Sequence, residues 1–216
     1  MGFALAEGLS AAGLAVSIIG RNADRVGEAE ARLRGLGGAV RGIACDVSRQ
    51  DQVGRAFEKI GAPVGFLFNV AGVGQFGPVE DITEEMIDEV SAGNLKGLML
   101  ASAAVLPMMR AAGEGTIASV LSTAALVGRA QEPVYCAAKW GARGFMEALR
   151  VALKGTPIRT VTVYPGGMRT PFWSAASGLS PDVATFMDPR EVARQILQVV
   201  LDPGGTNVTE MTISRP

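Results

Sequence analysis

Tyr135 and Lys139 stand four residues apart in a stretch, Val134 to Lys154, that reads as helix, so their side chains share one face on successive turns. A phenol with an ordinary pKa of about 10 is poorly matched to proton transfer at neutral pH, and a neighbouring ammonium favours the phenolate. Such a pair can move a proton. The spacing alone is weak evidence, because two tyrosines and four lysines produce a chance Tyr-x-x-x-Lys about once in twenty-five such chains. A core tyrosine beside a solvated lysine is the plain alternative. Two further groups strengthen the pair. Ser122 closes the apolar run Gly115 to Leu121, and its hydroxyl can hold an oxygen on which negative charge develops. Asn69-Val70-Ala71-Gly72 closes another such run, Val64 to Asn69.

Composition removes several competing chemistries. The chain has no histidine, which excludes a Ser-His-Asp triad, a His general base and His-ligated zinc. Its two cysteines, Cys45 and Cys136, are too few for a disulfide framework or a thiolate metal site, so no metal is expected and a reducing, cytoplasmic setting is. Cys136 reads as a small packed residue rather than a redox centre. Twenty basic against twenty-one acidic side chains give a net charge of -1, with no basic field to gather nucleic acid or anionic lipid. The longest apolar stretch, Gly97 to Met109, is short of the roughly 20 residues of a membrane span. Met1 to Gly13 reads as an amphipathic helix and lacks the basic start of a secretory signal. A small-molecule partner is expected, and neither nucleic acid nor membrane.

The elements that must position these groups alternate along the chain. After the first helix come a strand (Leu14 to Gly20), a charged helix (Asp24 to Leu36) and a strand (Ala39 to Cys45). Ser48 and Asp51 suggest a weak capping box for a helix ending near Ile60. Val64 to Asn69 is a further strand, and Thr83-Glu84-Glu85 opens a helical region that runs, with a break near Gly93, to Met109. Gly115 to Leu121 and Ile158 to Tyr164 are strands on either side of the Tyr135 helix. Asp188-Pro189-Arg190-Glu191 starts a helix ending near Leu201, and Asn207 to Ile213 closes the chain as a strand. Nearly continuous apolar strands separated by helices indicate an α/β fold with a doubly wound parallel sheet, three-layer α/β/α, in one domain over residues 1–216. In such sheets ligands sit outside the carboxyl ends of the strands, where Ser122 and Asn69 fall.

Taken in order, Asn69-Val70-Ala71-Gly72, Asn94, Ser122, Tyr135-Cys136-Ala137-Ala138-Lys139 and Tyr164-Pro165-Gly166-Gly167 with Arg169-Thr170-Pro171 resemble the short-chain dehydrogenase/reductase family, in its single-domain subgroup of about 250 residues. The resemblance spans essentially the whole chain and implies a Rossmann-like fold, a nicotinamide cofactor and hydride transfer between that cofactor and a carbonyl or secondary alcohol. Tyr135 would be the general acid or base, with Lys139 beside it and Ser122 on the substrate oxygen. Asn94 would help hold a water that relays protons to Lys139; its plain alternative is a helix-break residue after Gly93. Asn69, Ala71 and Gly72 look like cofactor-side residues, a small side chain and a glycine letting the backbone approach the adenosine ribose; a strand-end turn is the plain alternative and does not exclude this. Asp46-Val47 is similar to the family's adenine-contacting pair, although Asp46 also reads as a capping acid. Pro165, Gly166 and Thr170 resemble the nicotinamide-side loop. At the end of the second strand of such a fold an acid would bind a ribose 2′-hydroxyl and an arginine a 2′-phosphate. Arg21 stands there, so NADP(H) is favoured over NAD, unless Arg21 is only a solvated loop charge. An apolar substrate follows from Phe172, Trp173, Leu179, Phe186 and Met187 in the irregular stretch Pro171 to Met187, a candidate lid, unless those side chains pack on the core. The family resemblance also implies a homodimer or homotetramer.

The pattern departs from the family at its start. Met1-Gly2-Phe3-Ala4 aligns with the last glycine of the family's Thr-Gly-x-x-x-Gly-x-Gly turn, leaving Gly2 as the cofactor-side remnant and no first strand. That strand would lie centrally, between Leu14–Gly20 and Val64–Asn69. Buried side chains at about 1.5 to 3 kcal/mol each and ladder hydrogen bonds at about 1 kcal/mol each make its loss a matter of order 10 kcal/mol. Domain stability is typically about 5 to 15 kcal/mol. The chain is therefore expected to be an incomplete version of a longer protein. The rival reading is a non-catalytic, dehydrogenase-like binding subunit that has lost its pyrophosphate loop.

Overall fold

The computed structural model describes residues 1–61, 63–173, 179, 181–202, 204 and 206–215. Its elements are α1 (Gly2–Ala11), β1 (Val16–Gly20), α2 (Ala23–Gly35), β2 (Val40–Ala44), α3 (Gln50–Ile60), β3 (Phe66–Asn69) and α4 (Glu84–Ser91). There follow α5 (Gly97–Ala112), β4 (Gly115–Val120), α6 (Pro133–Ala152), β5 (Ile158–Pro165), α7 (Pro189–Val200) and β6 (Glu210–Ile213). Every strand pairing is parallel. The alternation and the layered α/β class match the reading of the sequence.

Local chemistry sets the boundaries. Asn22 caps α2 by accepting from the Arg25 amide, Thr83 caps α4 by accepting from Met86, and Asp188 caps α7 by accepting from Arg190. The Ser48 and Asp51 capping box does not form. Arg49 is the cap residue of α3 without a side-chain bond, and the Ser48 amide and hydroxyl both donate to Asp46 Oδ1, at 3.0 and 2.8 Å. The Ser48 hydroxyl is engaged as a donor in this Asx turn instead of accepting from a helix amide.

The strands fall into two sheets, ordered β2-β1 and β3-β4-β5-β6. Among the described residues no strand lies between β1 and β3, the place where the family's first strand was expected. A cavity of about 1010 Å³ occupies that position, lined by Leu5, Leu9, Val16, Ile18, Phe66 and Phe68 among others. The backbone groups of Val16 and Gly20 bond toward β2, and Gly65 bonds toward β4. Because strand backbones alternate direction, Ser17 and Ile19 on one bank and Phe66 and Phe68 on the other turn theirs into the slot.

Helices cover both faces. Val192, Ile196 and Val200 of α7 pack with Leu5 and Leu9 of α1 against Val161 and Val163 of β5. On the other face Leu98, Ala101, Val105 and Met109 of α5 meet Met146 and Leu149 of α6 over Ile117. The run Glu84–Ala112 is long and apolar enough to cross a membrane, but the apolar face of its α5 portion is core, buried on the sheet. The stretch Pro171 to Met187 contains 3₁₀ turns at Pro171–Trp173 and Val183–Thr185; residues 174–178 and 180 lie outside the described residues.

Candidate active site

Four side chains converge beyond the carboxyl ends of β3 and β4. Ser122 follows β4, and its Oγ accepts from the Ala124 amide at 3.1 Å, which fixes its rotamer. Tyr135 and Lys139 project from the first turns of α6, with Lys139 Nζ 5.4 Å from the centroid of the Tyr135 ring. Asn94 lies in a wide π turn, Ala92–Lys96, that joins α4 to α5. Its Nδ2 donates to Val73 O at 2.7 Å and to Val90 O at 3.0 Å, while Oδ1 is buried without a partner. That oxygen faces Gly72: a Cβ at position 72 would sit 2.6 Å from Asn94 Oδ1 and 3.6 Å from Lys139 Nζ. Only glycine leaves the cradle between amide and ammonium open.

Electrostatics at the pair differ from the expectation drawn from spacing. Burial, not the neighbouring ammonium, dominates Tyr135 and drives its phenol well above the ordinary value; the Ser122 hydroxyl beside it works the other way. Lys139 is buried too, and loss of water lowers its ammonium to about 8. Spacing revealed the neighbour but not the desolvation. Glu132, three residues before Tyr135, is buried, which raises its carboxyl above the usual range, and Arg129 at 3.5 Å opposes that.

The residues expected on the cofactor side divide. Gly2, Asn69 and Ala71 line the mouth of the slot, and Gly2 opens α1, whose first amides have no side-chain cap. Arg21 is exposed just past β1 and acts on Asp46, whose carboxyl is pushed up by burial but held below its ordinary value by the Ser48 bonds and by the Arg21 and Arg49 charges. The Asn69 side chain turns inward, donating to Ser102 and Ser119 hydroxyls at 3.2 and 3.1 Å. Val47 likewise packs inward, against Gly97, where a Cβ would approach it to 2.6 Å. Pro165 ends β5, the Gly166 amide bonds Ile213 O at 2.9 Å, and Thr170 leads into the Pro171–Trp173 turn.

Sequence reasoning missed Phe76. It is buried, and its ring meets Tyr135 edge-on at 5.5 Å and Phe172 at 5.9 Å. Its only signal was an aromatic residue between Gly74 and Gly77 in the loop after β3.

Known proteins resemble this chain over most of its length. A family model described as short chain dehydrogenase matches residues 1–178. The chain is 33% identical over 177 residues to a sepiapterin reductase of Chlorobaculum tepidum, covering 81% of this chain and 71% of that one. It is 34% identical over 168 residues to a D-threitol dehydrogenase of Mycolicibacterium smegmatis, covering 76% and 65%. Among solved structures, a short-chain dehydrogenase/reductase from Vibrio parahaemolyticus superposes with a TM-score of 0.85 at 29% identity, over 99% of this chain and 92% of that one. A metagenomic short-chain oxidoreductase in complex with NADP gives the same score at 26% identity, over 100% and 91%. With its parallel sheets, its Asn-Ser-Tyr-Lys cluster and this kinship, the chain belongs to the short-chain dehydrogenase/reductase family.

Proposed function

We propose that this protein is an NADP(H)-dependent oxidoreductase acting on a carbonyl or secondary alcohol of a small apolar substrate, with Tyr135 as general acid and base. The observation that carries this reading is the convergence of Asn94, Ser122, Tyr135 and Lys139 from the π turn, the end of β4 and α6. The residues present fit a dinucleotide. The uncapped start of α1 at Gly2 suits a pyrophosphate, and Ala71 with Gly72 leaves room for a ribose. Asp46 Oδ2 can accept from an exocyclic amine beside Val47, and Asn69 holds the strand end in place through its inward bonds. Arg21 stands where a 2′-phosphate is recognised, and no acid replaces it. Pro165, Gly166 and Thr170 form the nicotinamide side. When bound, the dinucleotide supplies or accepts the hydride.

The chain's own groups handle the proton. Ser122 Oγ holds the carbonyl oxygen, and Tyr135 Oη delivers a proton to it as charge develops. Lys139 and the unpaired Asn94 Oδ1 give that proton a route for replacement from solvent. Burial keeps the Tyr135 phenol protonated and ready to donate in reduction, while its role as base in alcohol oxidation calls for a charged partner beside it. Purified protein is assayed for NADPH oxidation with a panel of ketones. Tyr135→Phe is expected to lower turnover by about a thousandfold, within the usual range for a general acid, with an unchanged melting temperature. Retained turnover in that variant overturns the assignment.

A further inference from the structure

The phenol of Tyr135 lies under an aromatic box. Phe76 meets it edge-on at 5.5 Å with planes 75° apart, and Phe172 lies 5.8 Å away, tilted by 53°. Trp173 stacks on Phe76 at 5.7 Å and meets Phe172 edge-on at 5.2 Å. Only 7% of Tyr135 remains exposed. A carbonyl compound that places its oxygen on Tyr135 and Ser122 must therefore enter the space these rings hold.

The rings are not equally free to yield. Phe76 is fixed, being buried in a loop tied to the start of α6 by the Gly77 amide, which bonds Gln131 O at 2.9 Å. Phe172 is half-buried on a single 3₁₀ turn at the surface. The two rings close over Gly74, where a Cβ would lie 2.6 Å from Phe76 and 2.7 Å from Phe172, so their approach depends on that position having no side chain. Trp173 is anchored by its indole N–H, which donates to Met168 O at 3.2 Å.

Resting on the oxidoreductase reading above, we propose that Phe76, Phe172 and Trp173 select aryl ketones and the matching benzylic alcohols, the substrate's ring taking the place of Phe172 against Phe76 and Tyr135. Ring edges and faces attract through the π quadrupole, which a saturated ring of similar bulk lacks. An aryl group thus restores the contacts that displacing Phe172 breaks, and an alkyl group does not. In reduction the carbonyl carbon gains a hydride from the reduced nicotinamide dinucleotide, the oxygen gains the Tyr135 proton, and C=O becomes a single bond. The substrate class follows from the walls.

The test compares acetophenone with cyclohexyl methyl ketone, which share the methyl ketone and the carbon count. Trp140, exposed on α6, is the only other tryptophan, so Trp140→Phe leaves Trp173 as the sole reporter. In that background, without cofactor, acetophenone is expected to give a saturable change in Trp173 emission with a Kd about tenfold or more below that of the cyclohexyl ketone. Phe76→Leu, which keeps bulk without the π face, should shrink the preference to about twofold in both binding and kcat/KM. Equal binding of the two ketones, or no saturable change with either, overturns the inference. Reduction of both ketones at equal rates, abolished by Tyr135→Phe, also overturns aryl selection but leaves the oxidoreductase reading in place. Turnover that survives Tyr135→Phe strikes that reading instead.

Discussion

Strand β4 has a neighbour on each side and is buried at all six residues, whereas β1 has one neighbour, no fully buried residue and a free edge on the slot. The groups proposed to handle the proton, Ser122, Tyr135 and Lys139, lie just past the end of β4 and on α6. Gly2, Arg21 and Asp46 hang on the β1 side. The difference separates the two tasks proposed for them. A buried ammonium and phenol can be held together only by a scaffold that does not yield, while groups that recognise phosphates at the surface need position without enclosure.

The most direct way to break this comparison is a pair of truncations. Ile117→Ala, in the middle of β4, is expected to cost about 4 kcal/mol, because a fully buried side chain leaves a cavity behind. Ile18→Ala, on the lip of the slot, is expected to cost about 1 kcal/mol, since few atoms face it on that side. Urea midpoints measure both, and equal losses would erase the distinction between the two sheets.

The second prediction sharpens it through pH. With Lys139 lowered to about 8 in the fold and near 10.4 in the unfolded chain, the unfolded state binds more protons between those values, so stability rises with pH. Between pH 8 and 10 the gain is about 2 kcal/mol. Above pH 10 the slope reverses, because buried Tyr135 keeps the proton that the unfolded chain loses. Lys139→Met should remove the rise between pH 8 and 10 in parallel urea titrations; an identical pH profile for the two proteins would mean the ammonium is not held in a dry site. The smallest expected effect belongs to the other side. Arg21→Ala should raise the KM for NADPH about tenfold, roughly 1.4 kcal/mol, and leave NADH within about twofold and kcat unchanged. A fall in kcat would show that the two tasks are not separable.

Much of this was legible in the sequence. Apolar runs, the Thr83 and Asp188 caps and the Tyr135 to Lys139 spacing are local signals, and local signals survive folding. Non-local facts were not legible. Spacing brought an ammonium to Tyr135 but could not show that packing would exclude water from both, so the direction of the phenol's shift was missed. Asn69 reads as a cofactor-side residue at a strand end, yet Ser102 and Ser119, distant in sequence, draw its amide inward. Phe76 reached Tyr135 through a loop whose path no periodicity encodes.

The wide turn at Ala92–Lys96 has a consequence for which sequence lengths this region tolerates. A π turn spends one residue more per hydrogen bond than an α-helix, so it stores a single insertion inside a continuous helix. Deleting one residue there would convert the turn to ordinary α-helix and leave α4 and α5 nearly in place, but it would take away the widened backbone from which Asn94 faces Gly72. Length changes at this point are taken up as local widening or tightening, so the bulge works as an expansion joint that sets the bearing of the Asn94 amide without moving the helices on either side.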